Sequence, residues 1–341
     1  MIEGINHELV SHWLKKEIPE LSMPLSFSLI AGGHSNLTFH CEDRTGRSLV
    51  LRRPPLGEIL NSAHDMVREH KIISSLKNTA VPVPETLGLC EDGSINGADF
   101  YMMDFVEGDV LNDSVISSSL SGDDKQSISR DVVEILCSLH AIDPDDVGLG
   151  DLGRKDSYLS RQIKRWVAQW NASKTHEIPE MEESCELLLQ NLPEQIGSAI
   201  VHGDFRLGNM IVSRGHVRAV LDWELCTLGD PLADLGYVLN NWLTLEEVPE
   251  PGEGDQAPTA AGGFFSRDEF LDVYANKTGR DISKINYYRA FSHWRLAAIG
   301  QGVYKRYLVG AMGSERDVDL EKQKNSVSRR AAAALELLST T

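Results

Sequence analysis

Apolar and polar positions change rhythm along this chain. In the amino-terminal third, short apolar runs alternate with polar positions, the spacing of strands with one buried face. Leu25–Ile30, Leu37–Cys41, Ser48–Arg53 and Phe100–Gly108 predict strands, and Ala63–Leu76 a helix between them. The opening MIEGINHELVSHWLKKEIPE predicts an amphipathic helix. From about residue 109 the spacing lengthens to three and four. Asp123–His140 places Ile128, Val132, Ile135, Leu136 and Leu139 on one helical face. Tyr158–Trp170, Met181–Leu192 and Tyr287–Leu308 read the same way, the last within a final helix pair. Ser114–Ser121 reads as a serine-rich loop or helix lead-in closed by Gly122. The pattern predicts an α+β chain of two lobes, β-rich over 1–107 and mainly helical over 108–341.

One stretch breaks the helical rhythm. In VHGDFRLGNMIVSRGHVRAVLDWELCTLGDPLADL (201–235), NMIVS and VRAVLD are rich in β-branched residues, and Arg214-Gly215-His216 carries a turn signal between them. A turn centred between Gly215 and His216 sets Asn209 opposite Asp222, and cross-strand Cβ atoms lie roughly 4.5–5.5 Å apart. An amide oxygen and a carboxylate so placed suit Mg²⁺, which takes one or two protein carboxylates and completes its shell with water and phosphate. Asp204 precedes them by one short loop, where it could accept a hydroxyl proton. A single Asp or Asn in a loop is usually a turn former. Three at this spacing, followed by Asp230 and Asp234, point instead to phosphoryl transfer.

These residues resemble the catalytic core of the aminoglycoside phosphotransferase and choline-kinase-like enzymes, and most of all the kinase-like domain associated with acyl-CoA dehydrogenases. H-G-D-x-x-x-x-N followed by L-D-W-E carries the likeness, which runs over nearly the whole chain. It implies a bilobal protein-kinase-like fold and a reaction using ATP and Mg²⁺. Asp204 then corresponds to the catalytic base, Asn209 and Asp222 to the metal contacts, and Arg206 to a group that neutralises phosphoryl charge. Ala31-Gly32-Gly33-His34-Ser35-Asn36 reads as a phosphate-binding turn: adjacent glycines let the backbone approach an anion closely. His34 and Ser35 would face the nucleotide. Arg52 stands where kinases carry a strand lysine, with Glu69 of the next helix as its partner. Arginine there is a departure, a planar fork in place of a point charge, and Arg53 should face the other way. By position, the Asp104 carbonyl and the Val106 amide would hold the adenine, with Gly108 marking the chain's exit from the lobe. Asp234 would brace the catalytic loop through main-chain bonds, with His140 bonding nearby and His202 packed beneath. Asp230-Pro231 reads as a helix N-cap with its favoured proline, opening a helix within Leu228–Gly236.

Composition narrows the setting. The chain has 341 residues, 41% hydrophobic and 25% charged, a globular balance. No apolar run approaches the ~18 residues of a membrane span, and the five scattered cysteines, with no CxxC pair, read as reduced cytosolic thiols. The expectation is a cytoplasmic enzyme. A net charge of −18 argues against nucleic acid, which needs a basic stripe. The charge fits solubility, or attraction of a cationic substrate. The expected partner is a small molecule bearing a hydroxyl; monomer and dimer are equally compatible. A hydroxyacyl-CoA-like acceptor would need basic contacts, for which Arg161, Lys164, Arg165, Arg295 and Lys305 are candidates. Arg295 reads equally as part of a structural ion pair. The acidic, Pro/Gly-containing Leu243–Phe265 reads as a surface loop or a lid over substrate. Two other classes stay open: a catalytically weak nucleotide-binding module, which arginine in place of lysine would suit, and a metal-dependent hydrolase, which would want more histidines than His202 and His216 near the acids.

Overall fold

The computed structural model describes residues 2–31, 36–56, 64–248, 257–310 and 319–340. The amino-terminal elements follow the alternating pattern. They are α1 (His7–Glu17), β1 (Ser26–Ala31), β2 (Leu37–Glu42), β3 (Ser48–Arg53), α2 (Met66–Leu76), β4 (Thr86–Cys90), the short α3 (Gly93–Asn96) and β5 (Phe100–Asp104). The strands form one antiparallel sheet in the order β1-β2-β3-β5-β4. Because side chains alternate across a strand, the sheet has two apolar faces. Phe39, Cys41, Leu49, Leu51, Phe100 and Met102 meet Val10 and Leu14 of α1 in a small core. Val50, Tyr101 and Met103 face Ile72, Ile73 and Leu76 of α2, and this side is continuous with the main core. Arg52 shares the Val50 face. Arg53 points away, donating to the carbonyls of Pro54, Gly4 and Asn96. Helix α2 begins at Met66 rather than Ala63 because Asp65 caps it, accepting the Arg68 amide at 2.9 Å.

Beyond Gly108 the chain enters β6 (Asp109–Val110) and then α4 (Ser114–Ser118), α5 (Gly122–Ala141), α6 (Tyr158–Ser173) and α7 (Pro179–Gln190). The serine-rich stretch is therefore a short helix, with Ser121 capping α5. Next come β7 (Ala199–Val201), β8 (Met210–Ser213), β9 (His216–Val220), β10 (Thr227–Gly229), α8 (Leu232–Asn240), α9 (Arg267–Thr278), α10 (Ile285–Leu308) and α11 (Leu320–Ser339). The strands make two small antiparallel sheets, β6-β8-β9 and β7-β10. Helix α10 runs through the middle of the helical part, packing on α6, α8 and α11. Trp294, Ala297 and Ala298 of α10 are fully buried there. No helix among the described residues is long and apolar enough to cross a membrane.

Three expectations change. The segment opening at Leu228 starts as a strand, since Leu228 lies buried opposite Ile200 and the helix follows at Leu232. Asp230 still caps, accepting the Leu232 amide at 3.1 Å, and it also takes the Tyr288 hydroxyl at 2.7 Å. In Leu243–Phe265, residues 249–256 lie outside the described residues, and the carboxyl-terminal flank is packed rather than loose. Phe264 and Phe265 are buried, and the Trp242 indole donates to the Phe265 carbonyl at 2.7 Å. The hairpin turn also centres one residue earlier than the spacing suggested. Arg214 and Gly215 both take positive φ (54° and 70°), pairing Ser213 with His216. A bulge between Ile211 and Val212 then shifts the register, so the Leu221 amide bonds the Asn209 carbonyl. Leu221, not Asp222, lies opposite Asn209.

Candidate active site

The cleft between the sheet and the helical part gathers side chains from five places in the sequence. Its floor is the loop joining β7 to β8. Gly203 sits there at φ 86°, where a Cβ would come within 2.9 Å of the Leu225 carbonyl oxygen, so a left-handed turn with no side chain is required. The buried Asp234 holds this turn from α8: its carboxylate accepts the amides of His202 at 2.6 Å and Gly203 at 2.8 Å. Burial raises the Asp234 carboxyl, but the His140 imidazole, 3.6 Å away, together with His202 and the Gly203 amide, more than offsets this, so it lies below its ordinary value. Burial lowers His140, whose Nδ1 meets the Tyr274 hydroxyl at 2.9 Å. His202 lies under the loop, its Nε2 on the Leu221 carbonyl and its Nδ1 accepting the Asp204 amide.

Asp204 projects from this floor with both carboxylate oxygens occupied. Asn209 donates Nδ2 to Asp204 Oδ2 at 2.7 Å and to its carbonyl at 2.9 Å. The Tyr237 hydroxyl of α8 donates to Oδ1. Arg206 Nε lies 3.3 Å from the same oxygen. With its amide nitrogen spent on Asp204, Asn209 has its Oδ1 left as a hard oxygen.

Asp222, two residues beyond β9, takes a left-handed conformation, φ 66° and ψ 59°. A non-glycine residue held there is strained by about 1–3 kcal/mol, a cost seen most often at functional sites. Its Oδ1 meets Arg52 Nη2 at 2.5 Å, while Arg52 Nε donates to Glu69 at 3.0 Å. Arg52 therefore bridges the two acids from β3. Burial works against its charge, but Glu69, Tyr101 and Asp222 hold it more firmly protonated than usual. Burial pushes the Glu69 carboxyl up, against the pull of Arg52. Helix α2, which carries Glu69, is tied across the cleft: Arg68 Nη2 donates to the carbonyls of Leu152 at 3.1 Å and Cys226 at 2.7 Å.

Sequence reasoning did not assign roles to four residues that stand here. Glu224 follows Asp222 by two residues and accepts Asn36 Nδ2 at 3.1 Å, while His64 Nδ1 meets Asn36 Oδ1 at 2.9 Å. Burial, then the neighbouring Asp222, pushes the Glu224 carboxyl up to about 7. Tyr237 was legible only as the position one helical turn beyond Asp234. Gly32, Gly33, His34 and Ser35 lie outside the described residues. Asp104 closes β5, its amide on the Glu85 carbonyl at 2.8 Å. The Val106 amide has no partner among the described residues. Arg295 is partly buried. Its Nη2 donates to the Gly203 carbonyl at 3.0 Å, and its guanidinium lies 5.3 Å from the Tyr237 ring centre. Of the other basic candidates, Arg161 donates to the Arg154 carbonyl, Arg165 lies over Trp166, and Lys305 donates to the Ala172 carbonyl.

Among the described residues no three His, Cys, Asp or Glu side chains converge as a ready metal cage. One carboxylate, Asp222, and one amide oxygen, Asn209, are hard oxygen donors of the kind that Mg²⁺ accepts beside water and phosphates. The donor set fits that ion.

Residues 26–266 match the model of a family described as phosphotransferase enzymes. A mouse protein, acyl-CoA dehydrogenase family member 10, is 39% identical over 295 residues, covering 85% of this chain but 27% of that protein. The chain thus spans less than a third of that relative. A crystal structure from Ralstonia eutropha, provisionally assigned as an aminoglycoside phosphotransferase, superposes with a TM-score of 0.83 at 32% identity, covering 98% of each chain. An aminoglycoside phosphotransferase in complex with AMP-PNP and hygromycin B shares the fold, with a TM-score of 0.62 at 16% identity over 97% of this chain and 99% of its own. The sheet-and-helix architecture is the bilobal protein-kinase-like fold, and the chain belongs to the phosphotransferase enzyme family.

Proposed function

We propose that the chain is an ATP- and Mg²⁺-dependent kinase that moves the γ-phosphoryl group to a hydroxyl of a small molecule. The observation that carries this reading is the meeting of Asp204, Asn209, Asp222 and the Arg52–Glu69 pair in one cleft. The lobes divide at 107/108 in this reading, with the nucleotide between them. Asp104 and Val106 border the adenine in this reading, and Gly32, Gly33, His34 and Ser35 are assigned to its phosphates. Asp222 and Asn209 would hold the metal, which would supply positive charge to stabilise the transferring phosphoryl group. Asp204 orients the acceptor hydroxyl and takes its proton. Arg206 offsets developing negative charge from beside Asp204.

For the acceptor, we favour a hydroxyacyl-CoA-like thioester over an aminoglycoside-like amino sugar, because the relatives above 30% identity include proteins named as acyl-CoA dehydrogenases. The rival reading, a catalytically weak nucleotide-binding module, rests on arginine at the lysine position. The intact Asp204, Asn209 and Asp222 weigh against it.

The test is a coupled ADP-release assay with MgATP against amino sugars, choline-like alcohols and hydroxyacyl-CoAs, with Asp204→Asn as the blank. Release that depends on one acceptor and vanishes in the variant is the expected result. Nucleotide binding without release from any acceptor would favour the binding-module reading.

A further inference from the structure

The acceptor-side face of Asp204 carries a group that the roles above do not use. Tyr237 is 7% exposed, and its hydroxyl donates to Asp204 Oδ1. Helix geometry explains how it gets there. Residues three apart lie on one face of a helix, so the turn of α8 that offers the Asp234 carboxylate to the loop backbone also brings Tyr237 to the loop's side chain. Asn209 grips the other oxygen from the opposite direction, at 2.7 Å. A carboxylate held at one oxygen alone can still swing about its χ2 bond. Held at both, by donors from two separate elements, it has one orientation.

Tyr237 is itself fixed. The Arg295 guanidinium lies on its ring face at 5.3 Å and donates to the Gly203 carbonyl at 3.0 Å. Helix α10 is thereby linked to the phenol and to the loop that the phenol steadies, and a cation on a ring face adds attraction of about 0.5–2 kcal/mol. Burial first, and then the Asp204 carboxylate, push the phenol well above its ordinary value. It stays protonated, and stays a donor, throughout the working range of an enzyme.

We propose that Tyr237 is the positioning residue of the reaction, fixing the Asp204 carboxylate through Oδ1 while Arg295 fixes Tyr237. The inference rests on Asp204 being the base. A neutral hydroxyl suits the task because it orients the carboxylate without adding a second positive charge to that of Arg206, whose Nε lies 3.3 Å from the same oxygen. A carboxylate has about four lone-pair sites; Tyr237 and Arg206 share Oδ1 while Asn209 alone holds Oδ2, so Oδ2 keeps a site for the acceptor hydroxyl. In the step itself the acceptor oxygen bonds to the γ-phosphorus as the bond to the ADP oxygen breaks. The acceptor proton passes to Asp204, and the Tyr237 proton stays where it is.

Tyr237→Phe keeps the ring and removes the donor. Misplacement on the ångström scale costs a reaction about a hundredfold, so kcat for ADP release should fall about tenfold to a hundredfold. The KM for ATP and the melting temperature should hold. The deciding readout is the same substitution in an Asp204→Asn background, measured with the acceptors above and with water. A positioning residue has nothing left to position there, so the single and double variants should share one residual rate. Equal slowing in both backgrounds would make Tyr237 merely structural and overturn the inference. Full activity of Tyr237→Phe beside an inactive Asp204→Asn would overturn it too, leaving the base intact. Full activity of Asp204→Asn, or no turnover by the wild type with any acceptor, would remove the base assignment and the positioning role together.

Discussion

The Arg52 guanidinium on β3 lies 2.5 Å from the Asp222 carboxylate while its Nε holds Glu69 of α2. One side chain thus joins the sheet, the helix packed on it and the end of the β9 hairpin. Glu69 is 1% exposed, and removing one partner of a buried ion pair leaves an uncompensated charge worth about 3–5 kcal/mol. Arg52→Ala should destabilise the fold by about that much in urea denaturation. Arg52→Lys should recover part of the loss, since an ammonium cannot reach both acids with a planar fork. A change under about 1 kcal/mol for Arg52→Ala would show that the bridge contributes little.

The two central acids should separate by assay. Asp204→Asn should keep nucleotide affinity, measured by titration, and lose most of the turnover, because a base contributes about a hundredfold to ten-thousandfold. Asp222→Ala should lose Mg²⁺-dependent nucleotide binding as well as turnover. Turnover of Asp222→Ala within about tenfold of wild type would contradict its metal role.

Asp234 accepts two main-chain amides with one carboxylate. Asn at this position offers a single oxygen and sets an NH₂ against the second amide. A buried donor left without a partner costs about 1–3 kcal/mol, so Asp234→Asn should lower stability by that amount. Because Tyr237 rides on the same helix, its turnover should fall further than the stability loss explains.

The acid limb of stability should depend on His293. Burial, helped by Arg330, Arg289 and Arg267, lowers this imidazole to about 3, against an unfolded value near 6.5. With the folded value depressed, the unfolded chain binds the extra proton first. The contribution is whole above about pH 6.5 and is lost as pH falls toward 3. The slope approaches about 1.4 kcal/mol per pH unit. His293→Gln should flatten that limb in denaturation curves between pH 6 and 4; an unchanged slope would place the acid sensitivity elsewhere.

Much of this site was legible before any fold was known, because it is written locally. Asp204, Asn209 and the hairpin lie within a few residues of one another, and Asp234 precedes Tyr237 by one turn. The pairing of Arg52 with Glu69 was readable because one strand and the next helix set it. What the sequence hid depends on register and crossing. A bulge at Ile211/Val212 moved Leu221 opposite Asn209, and no local pattern announces a bulge. Arg295 read equally as an anion contact or part of an ion pair, and its position on α10 sets Nη2 on the Gly203 carbonyl and the guanidinium over Tyr237.

Arg68 has a consequence for control. Its two carbonyl bonds, to Leu152 and Cys226, fasten α2 to the helical part, and Lys71 of the same helix adds an ion pair to Asp151 at 2.7 Å. Swinging this helix outward, which would part Glu69 from Arg52 and turn a kinase-like site off, means breaking all of these at once. Movement of α2 is thereby coupled to the Leu152 and Cys226 carbonyls as well as to Arg52.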